Sequence, residues 1–187
     1  MFLNPFRSRR EDFSLAVGMT GVKMGDRLVQ VNCCDAARLA AIASKVGLSG
    51  RAVAVVGDAR TGAQIEKAAS RAGVLVDVIV CPPTRLPLEN GEFDLAIIDD
   101  TGGAFTGMNA DDRGALVRET VRVLRPGGRV MVIGTTPATG VAAALSRSTT
   151  PPSIDPTSAL QADGCKTVRL LAERQGLIFY EGLKPRV

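Results

Sequence analysis

The residues best suited to chemistry sit in four short stretches. Asp99-Asp100-Thr101-Gly102-Gly103 places two adjacent carboxylates at the end of an apolar run. Such a pair can hold a cation, or raise one another's proton affinity and serve as acid and base. Cys33-Cys34-Asp35 puts two thiols at the start of a predicted helix, where a thiolate is favoured. Cys81 closes another apolar run, and Asp58-Ala59-Arg60 has the groups to grip a ribose or a phosphate. Each stretch also has a plainer role. Asp99 can cap a turn beside a solvated Asp100, the cysteines can be small apolar filler, Asp35 can cap its helix, and Asp58 can sit in a solvated turn. Strand alternation sends neighbouring side chains to opposite faces, so Asp99 and Asp100 need not act together.

Composition narrows the chemistry. The chain has no histidine. That removes Ser-His-Asp and Cys-His catalysis, histidine metal ligation and the usual pH switch. The four cysteines lack the spacing of a zinc site, so no metal is expected. Met1–Arg10 has no apolar signal-peptide core, and the cysteines are expected to be reduced thiols in a cytoplasmic protein. No apolar stretch approaches the roughly 18 residues of a membrane span. A net charge of +4, with both signs interspersed, argues against nucleic acid as a partner. With 187 residues, 45% of them hydrophobic and 22% charged, the chain suits one globular domain with its own core.

The elements that must carry these residues alternate between strand and helix. Leu28–Val31, Ala52–Val56, Val74–Val80, Phe93–Ile98 and Arg129–Ile133 read as strands, several of them continuously apolar, as buried parallel strands are. Helices are expected from Asp35 to about Val46, from Thr61 to Ala72 and from Asn109 to Leu124. Thr139–Ser146 reads as a short helix and Ser148–Ser158 as a Ser/Thr/Pro-rich loop, with 139–158 expected to form a partial lid. Asp155-Pro156 starts a brief helix over Ala159–Ala162, and Lys166–Leu171 and Leu177–Leu183 form a hairpin through Glu173–Gly176. Lys166, Arg169 and Lys184 are expected to oppose pairing of the final edge with another chain. Residues 1–25 are expected to pack against a single domain spanning 26–187. The order predicts an α/β fold, an open, mainly parallel sheet with helices on both faces and ligands beyond the carboxyl ends of its strands.

Three motifs give this framework a family likeness. Val22-Lys23-Met24-Gly25-Asp26-Arg27 precedes the first strand, Leu86-Pro87-Leu88-Glu89-Asn90-Gly91-Glu92-Phe93-Asp94-Leu95 enters the fourth, and Leu124-Arg125-Pro126-Gly127-Gly128-Arg129-Val130 turns into the fifth. From about Gly21 to the C-terminus the sequence resembles the class I S-adenosylmethionine (SAM)-dependent methyltransferases, particularly the small, single-domain, type 11-like ones. The resemblance implies a Rossmann-like seven-stranded sheet of order 3-2-1-4-5-7-6 with strand 7 antiparallel. It also implies SAM as cofactor, held by a Gly-rich loop after strand one, an acid within strand one, an acid at the end of strand two and an Asp after strand three.

The positions that would hold SAM depart from that pattern. Gln30 stands at the strand-one acid, and Asn32, Cys34 and Ala36 at the loop glycines. Cys33 and Asp35 lie between them. Val56 takes the place of the ribose-binding acid, with Asp58 two residues on, and Pro82 follows Cys81 where an adenine-reading Asp is usual. The leading expectation is therefore a methyltransferase-superfamily protein that has lost the usual SAM contacts. It would be a binding module for a protein or an unidentified small molecule, without SAM as a working cofactor. The second is an active methyltransferase with an atypical pocket around Asn32, Cys33, Cys34, Asp35, Asp58 and Cys81, with Asp99 or Asp100 as base. The third, another nucleotide binder, lacks a G-x-G-x-x-G loop after strand one.

Overall fold

The computed structural model describes residues 13–136 and 154–186. Its centre is a seven-stranded sheet of order β3-β2-β1-β4-β5-β7-β6. The strands are β1 (Arg27–Val31), β2 (Arg51–Val56), β3 (Asp77–Val80), β4 (Phe93–Asp99), β5 (Leu124–Thr135), β6 (Lys166–Arg174) and β7 (Leu177–Leu183). β1 through β5 pair in parallel, and β7 runs antiparallel to both β5 and β6. This is the order and polarity the family resemblance implies.

Two-residue alternation along the strands builds two separate cores. Leu28, Ala52, Leu95, Ile97, Met131, Ile133 and Phe179 face one side, where they meet Ala16 of α1 (Ser14–Thr20) and Ile42 and Ala43 of α2 (Ala36–Ala43). α3 (Ala59–Ala72) extends that layer, with Ile65 against Ala54 and Val56. Val29, Val31, Ala96, Ile98, Val130 and Val132 face the other side, against Leu116, Val117 and Val121 of α4 (Ala110–Val123) and Leu160 of α5 (Thr157–Ala162). Each fully buried aliphatic side chain contributes about 1.5–3 kcal/mol, so a strand buried on both faces anchors its own loop firmly.

The boundaries differ from the sequence expectations where local chemistry is decisive. α3 begins at Ala59, because Asp58 is its N-cap and accepts from Thr61 N at 2.9 Å. β5 follows α4 without a break, and the Pro126-Gly127-Gly128 stretch lies within the strand, where the β4–β5 register shifts between Phe93 and Leu95. Gly128 is required there: an added Cβ would sit 2.8 Å from Arg125 O. β3 is confined to Asp77–Val80, while Val74 and Val76 pack at its entrance. α1 has no counterpart in the sequence reading; Arg129 reaches up to Thr20 O and ties its end to β5. The β6–β7 hairpin turns on Gln175 and Gly176, both with positive φ, as a type I′ turn requires.

Lys184 is not an edge charge. Its ammonium donates to Val121 O (2.8 Å) and Leu124 O (2.6 Å), satisfying the last carbonyls of α4. Arg169, on the edge strand β6, remains exposed and pairs with the buried Glu181 of β7 at 2.9 Å. The expected Thr139–Ser146 helix, most of the 139–158 lid and the first twelve residues lie outside the described residues. Among the described residues, no helix is long and apolar enough to cross a membrane.

Candidate functional site

The sheet order reverses between β1 and β4, which is where an open α/β sheet forms its ligand crevice. The loops after β1 and β4 meet there. Alternation decides which residues each loop delivers. On β4, Leu95, Ile97 and Asp99 share the α2 face, whereas Ala96, Ile98 and Asp100 share the α4 face. The two carboxylates of Asp99-Asp100 therefore leave the strand in opposite directions.

Asp99 is 1% exposed and is the hub of the crevice. Arg38 of α2, itself 7% exposed, donates from Nη2 to Oδ1 and Oδ2 at 2.9 and 2.8 Å. Cys34 N donates to Oδ2 at 3.1 Å, and Thr101 donates from N and Oγ1 to Oδ1 at 3.1 and 2.7 Å. Gln30 Nε2 adds a longer bond at 3.4 Å. Arg38 Nη2 also reaches Thr101 Oγ1 at 2.7 Å. The network joins β1, the β1–α2 loop, α2 and the β4–α4 loop through a single carboxylate.

Asp100 anchors the other face. It accepts from Phe105 N at 2.9 Å and from Thr106 N and Oγ1 at 3.0 and 2.6 Å. Thr106 Oγ1 in turn accepts from Ile154 N at 3.0 Å, which links this loop to the lead-in of α5. Beside it, a surface cleft of about 420 Å³ runs between α4 and α5, lined by Phe105, Arg113, Arg118, Asp155 and Asp163. Both carboxylates are thus fully engaged as structural acceptors, on separate sides of the sheet.

The β1–α2 loop completes the crevice wall. Asn32 adopts φ 62°, the left-handed conformation that asparagine tolerates better than most residues. Asp35 caps α2, accepting from Ala37 N and Arg38 N at 3.0 Å each. Cys34 lies over the β4–α4 loop: a Cβ added to Gly102 would collide with Cys34 Sγ. Cys33 packs inward, and burial, followed by the nearby Asp99 charge, pushes its thiol up to about 12. Among the described residues, two buried polar side-chain atoms have no hydrogen-bond partner, Gln30 Oε1 and Asn32 Nδ2.

The other predicted positions lie off this network. Asp58 spends both oxygens on Thr61, whose bonds hold its carboxyl below the usual range. Cys81 follows β3 and packs at the margin of the α4-side core, with burial raising its thiol. The structure thus brings together Gln30, Cys34 and Asp99, sets Asp35 beside them as a cap, and keeps Asp58, Cys81 and Asp100 apart. Arg38 was missed by sequence reasoning. Its signal was present: it is the one charged residue in the helix AARLAAIA.

A family model described as a methyltransferase domain matches residues 29–132. No curated protein matches the sequence. Among solved structures, a SAM-dependent methyltransferase from Aquifex aeolicus is similar over 92% of this chain and 89% of its own, with a TM-score of 0.73 and 16% identity. A SAM-dependent O-methyltransferase from Thermotoga maritima is similar over 99% of this chain and 67% of its own, with a TM-score of 0.67 and 16% identity. The 4+2 cyclase SpnF is similar over 92% and 79%, with a TM-score of 0.65 and 16% identity. At these identities the structures speak for the fold, while the family model covers more than half of the chain: this protein belongs to the methyltransferase domain family, in the class I SAM-dependent superfamily.

Proposed function

We propose that this chain is a methyltransferase-superfamily protein that does not use SAM in the usual way and works as a binding module, for a protein or for a small molecule other than SAM. The observation that carries this reading is the state of Asp99. Its carboxylate is saturated by Arg38, Cys34 N and Thr101 at the switch point of the sheet. The loop that should approach a cofactor with bare backbone instead carries Asn32, Cys34 and Ala36, and Cys34 already rests on Gly102. Val56 and Pro82 supply no carboxylate where the resemblance implies acids for the ribose and adenine. These residues do not fit SAM. That the fold also carries a protein described as a cyclase supports a use other than methyl transfer.

One observation favours a second reading, an active methyltransferase with an atypical pocket. Gln30 Oε1 and Asn32 Nδ2 are a buried acceptor and donor without partners, and a ligand could satisfy both. On that reading the chain contributes orientation rather than proton transfer, because Asp99 and Asp100 are both committed. Calorimetric titration with S-adenosylhomocysteine separates the two. No heat and no thermal shift at millimolar ligand is the outcome expected here. Micromolar binding, which at a hundredfold excess over Kd would stabilise the fold by about 2.7 kcal/mol, rejects the first reading.

A further inference from the structure

We infer that the Arg38–Asp99 ion pair and the Cys34–Gly102 contact form an internal lock, by which the chain holds its own cofactor crevice shut. The inference rests on the reading above, that the wild-type protein does not take up SAM, and adds a second cause to the acids missing at Val56 and Pro82: a small set of side chains closes the site.

Three observations converge on it. First, the ion pair makes a poor stabilising device. Guanidinium and carboxylate are exposed by only 8% and 1%. Burying such a pair sacrifices hydration that its attraction barely restores, and apolar packing would serve stability as well. What the pair does achieve is connection. Arg38 leaves α2 and Asp99 leaves β4, so their bond clamps the two sides of the crevice across 61 residues of sequence. Second, the same carboxylate draws in Cys34 N, and this sets the Cys34 side chain over Gly102. The clamp and the plug are one unit. Third, polar atoms next to the clamp are left unpaired. Gln30 is 1% exposed, yet its Oε1 has no partner, and neither does Asn32 Nδ2. A crevice remade as ordinary core would have replaced these groups with apolar ones, since unpaired buried polar atoms are costly. The polar lining of a ligand site persists under a closed clamp.

A ligand that binds only the open form is weakened by the fraction of molecules that are open. Removing the lock should therefore tighten binding without adding any contact. The test compares the wild type with two variants, Cys34→Gly/Arg38→Met/Asp99→Asn and the milder Cys34→Gly/Arg38→Gln, by calorimetric titration with S-adenosylhomocysteine. Circular dichroism and cooperative melting confirm that each is folded. Amide exchange of the wild type provides a reading independent of any variant. The expected results are a silent wild type, a slowly exchanging Cys34 amide, and at least one folded variant whose affinity is about tenfold or more above the wild-type limit. Folded variants as silent as the wild type would overturn the lock and leave the proposed function standing. A Cys34 amide that exchanges at the rate of an open loop would also overturn it. Micromolar binding by the wild type would overturn both.

Discussion

Replacing Arg38 by Met is the perturbation that reports most directly on the crevice. Methionine keeps an unbranched apolar stem, so the packing of the side chain against the sheet is largely retained. What is lost is the guanidinium that donates to both oxygens of Asp99 at 2.8 and 2.9 Å. Breaking a buried pair by removing one partner costs about 3–5 kcal/mol, because the other charge is stranded. Asp99 is not wholly stranded: Cys34 N and both Thr101 donors remain. The lower end, about 3 kcal/mol, is therefore expected. For a chain of this size that is a fall in Tm of about 6–12 °C. The assay is urea unfolding with unchanged m-value, so that the midpoint alone carries the effect. Arg38→Met/Asp99→Asn should recover most of the loss, giving a coupling energy of about 2 kcal/mol in the double-mutant cycle. A single variant costing less than about 1 kcal/mol would equal a surface pair. That result would refute the view that Arg38 and Asp99 close the crevice in solution.

Three other perturbations test separate parts of the structure. Hydrogen bonds from Arg122, together with Leu86 N, hold the Glu119 carboxyl below its ordinary value of 4.5. The stability this contributes is present above about pH 4.5 and is lost as pH falls through the depressed folded value. Glu119→Gln should therefore flatten the acid limb of a stability–pH curve, and an unchanged limb would refute the assignment. Burial raises the thiols of Cys33 and Cys165, to about 12 and about 11, so mass-mapped alkylation at mildly alkaline pH should modify them last. Rapid labelling of Cys33 would mean that the β1–α2 loop opens. Gln175 holds a positive φ of 55° in the β6–β7 turn, and Gln175→Asn should raise stability by about 0.5–1 kcal/mol in thermal melts.

The framework was legible because its determinants are local. Apolar runs at Ala52–Val56 and Phe93–Ile98 mark strands buried on both faces, and Asp35, Gly73 and Asn109 punctuate the helices by capping chemistry. Where a boundary was misplaced, a specific bond explains it. Asp58 was read as a turn residue or ligand group, but two bonds to Thr61 make it the cap of α3. Lys184 was read as an edge charge, but the adjacent end of α4 offers it carbonyls that no periodicity in its own strand reveals. α1 was missed because seven residues, SLAVGMT, have little helical signal of their own; its burial against α2 and the tie from Arg129 sustain it.

The site was legible in a different measure. Its positions could be numbered from the framework, since Gln30, Asn32 and Cys34 follow β1 and Asp99 ends β4. Its state could not, because that depends on a contact between residues 61 apart. Yet half of the answer lies in a local rule. Once Leu95 and Ile97 are assigned to the helix α2 face, Asp99 must point there too, and Asp100 must point away. A carboxylate thus directed into an apolar layer needs a cation from that layer. The helix packed there, AARLAAIA, contains one. An arginine isolated on a short alanine-rich helix, set against an acid at the buried end of a neighbouring strand, is therefore the pattern by which such a clamp can be sought in other sheets of this order.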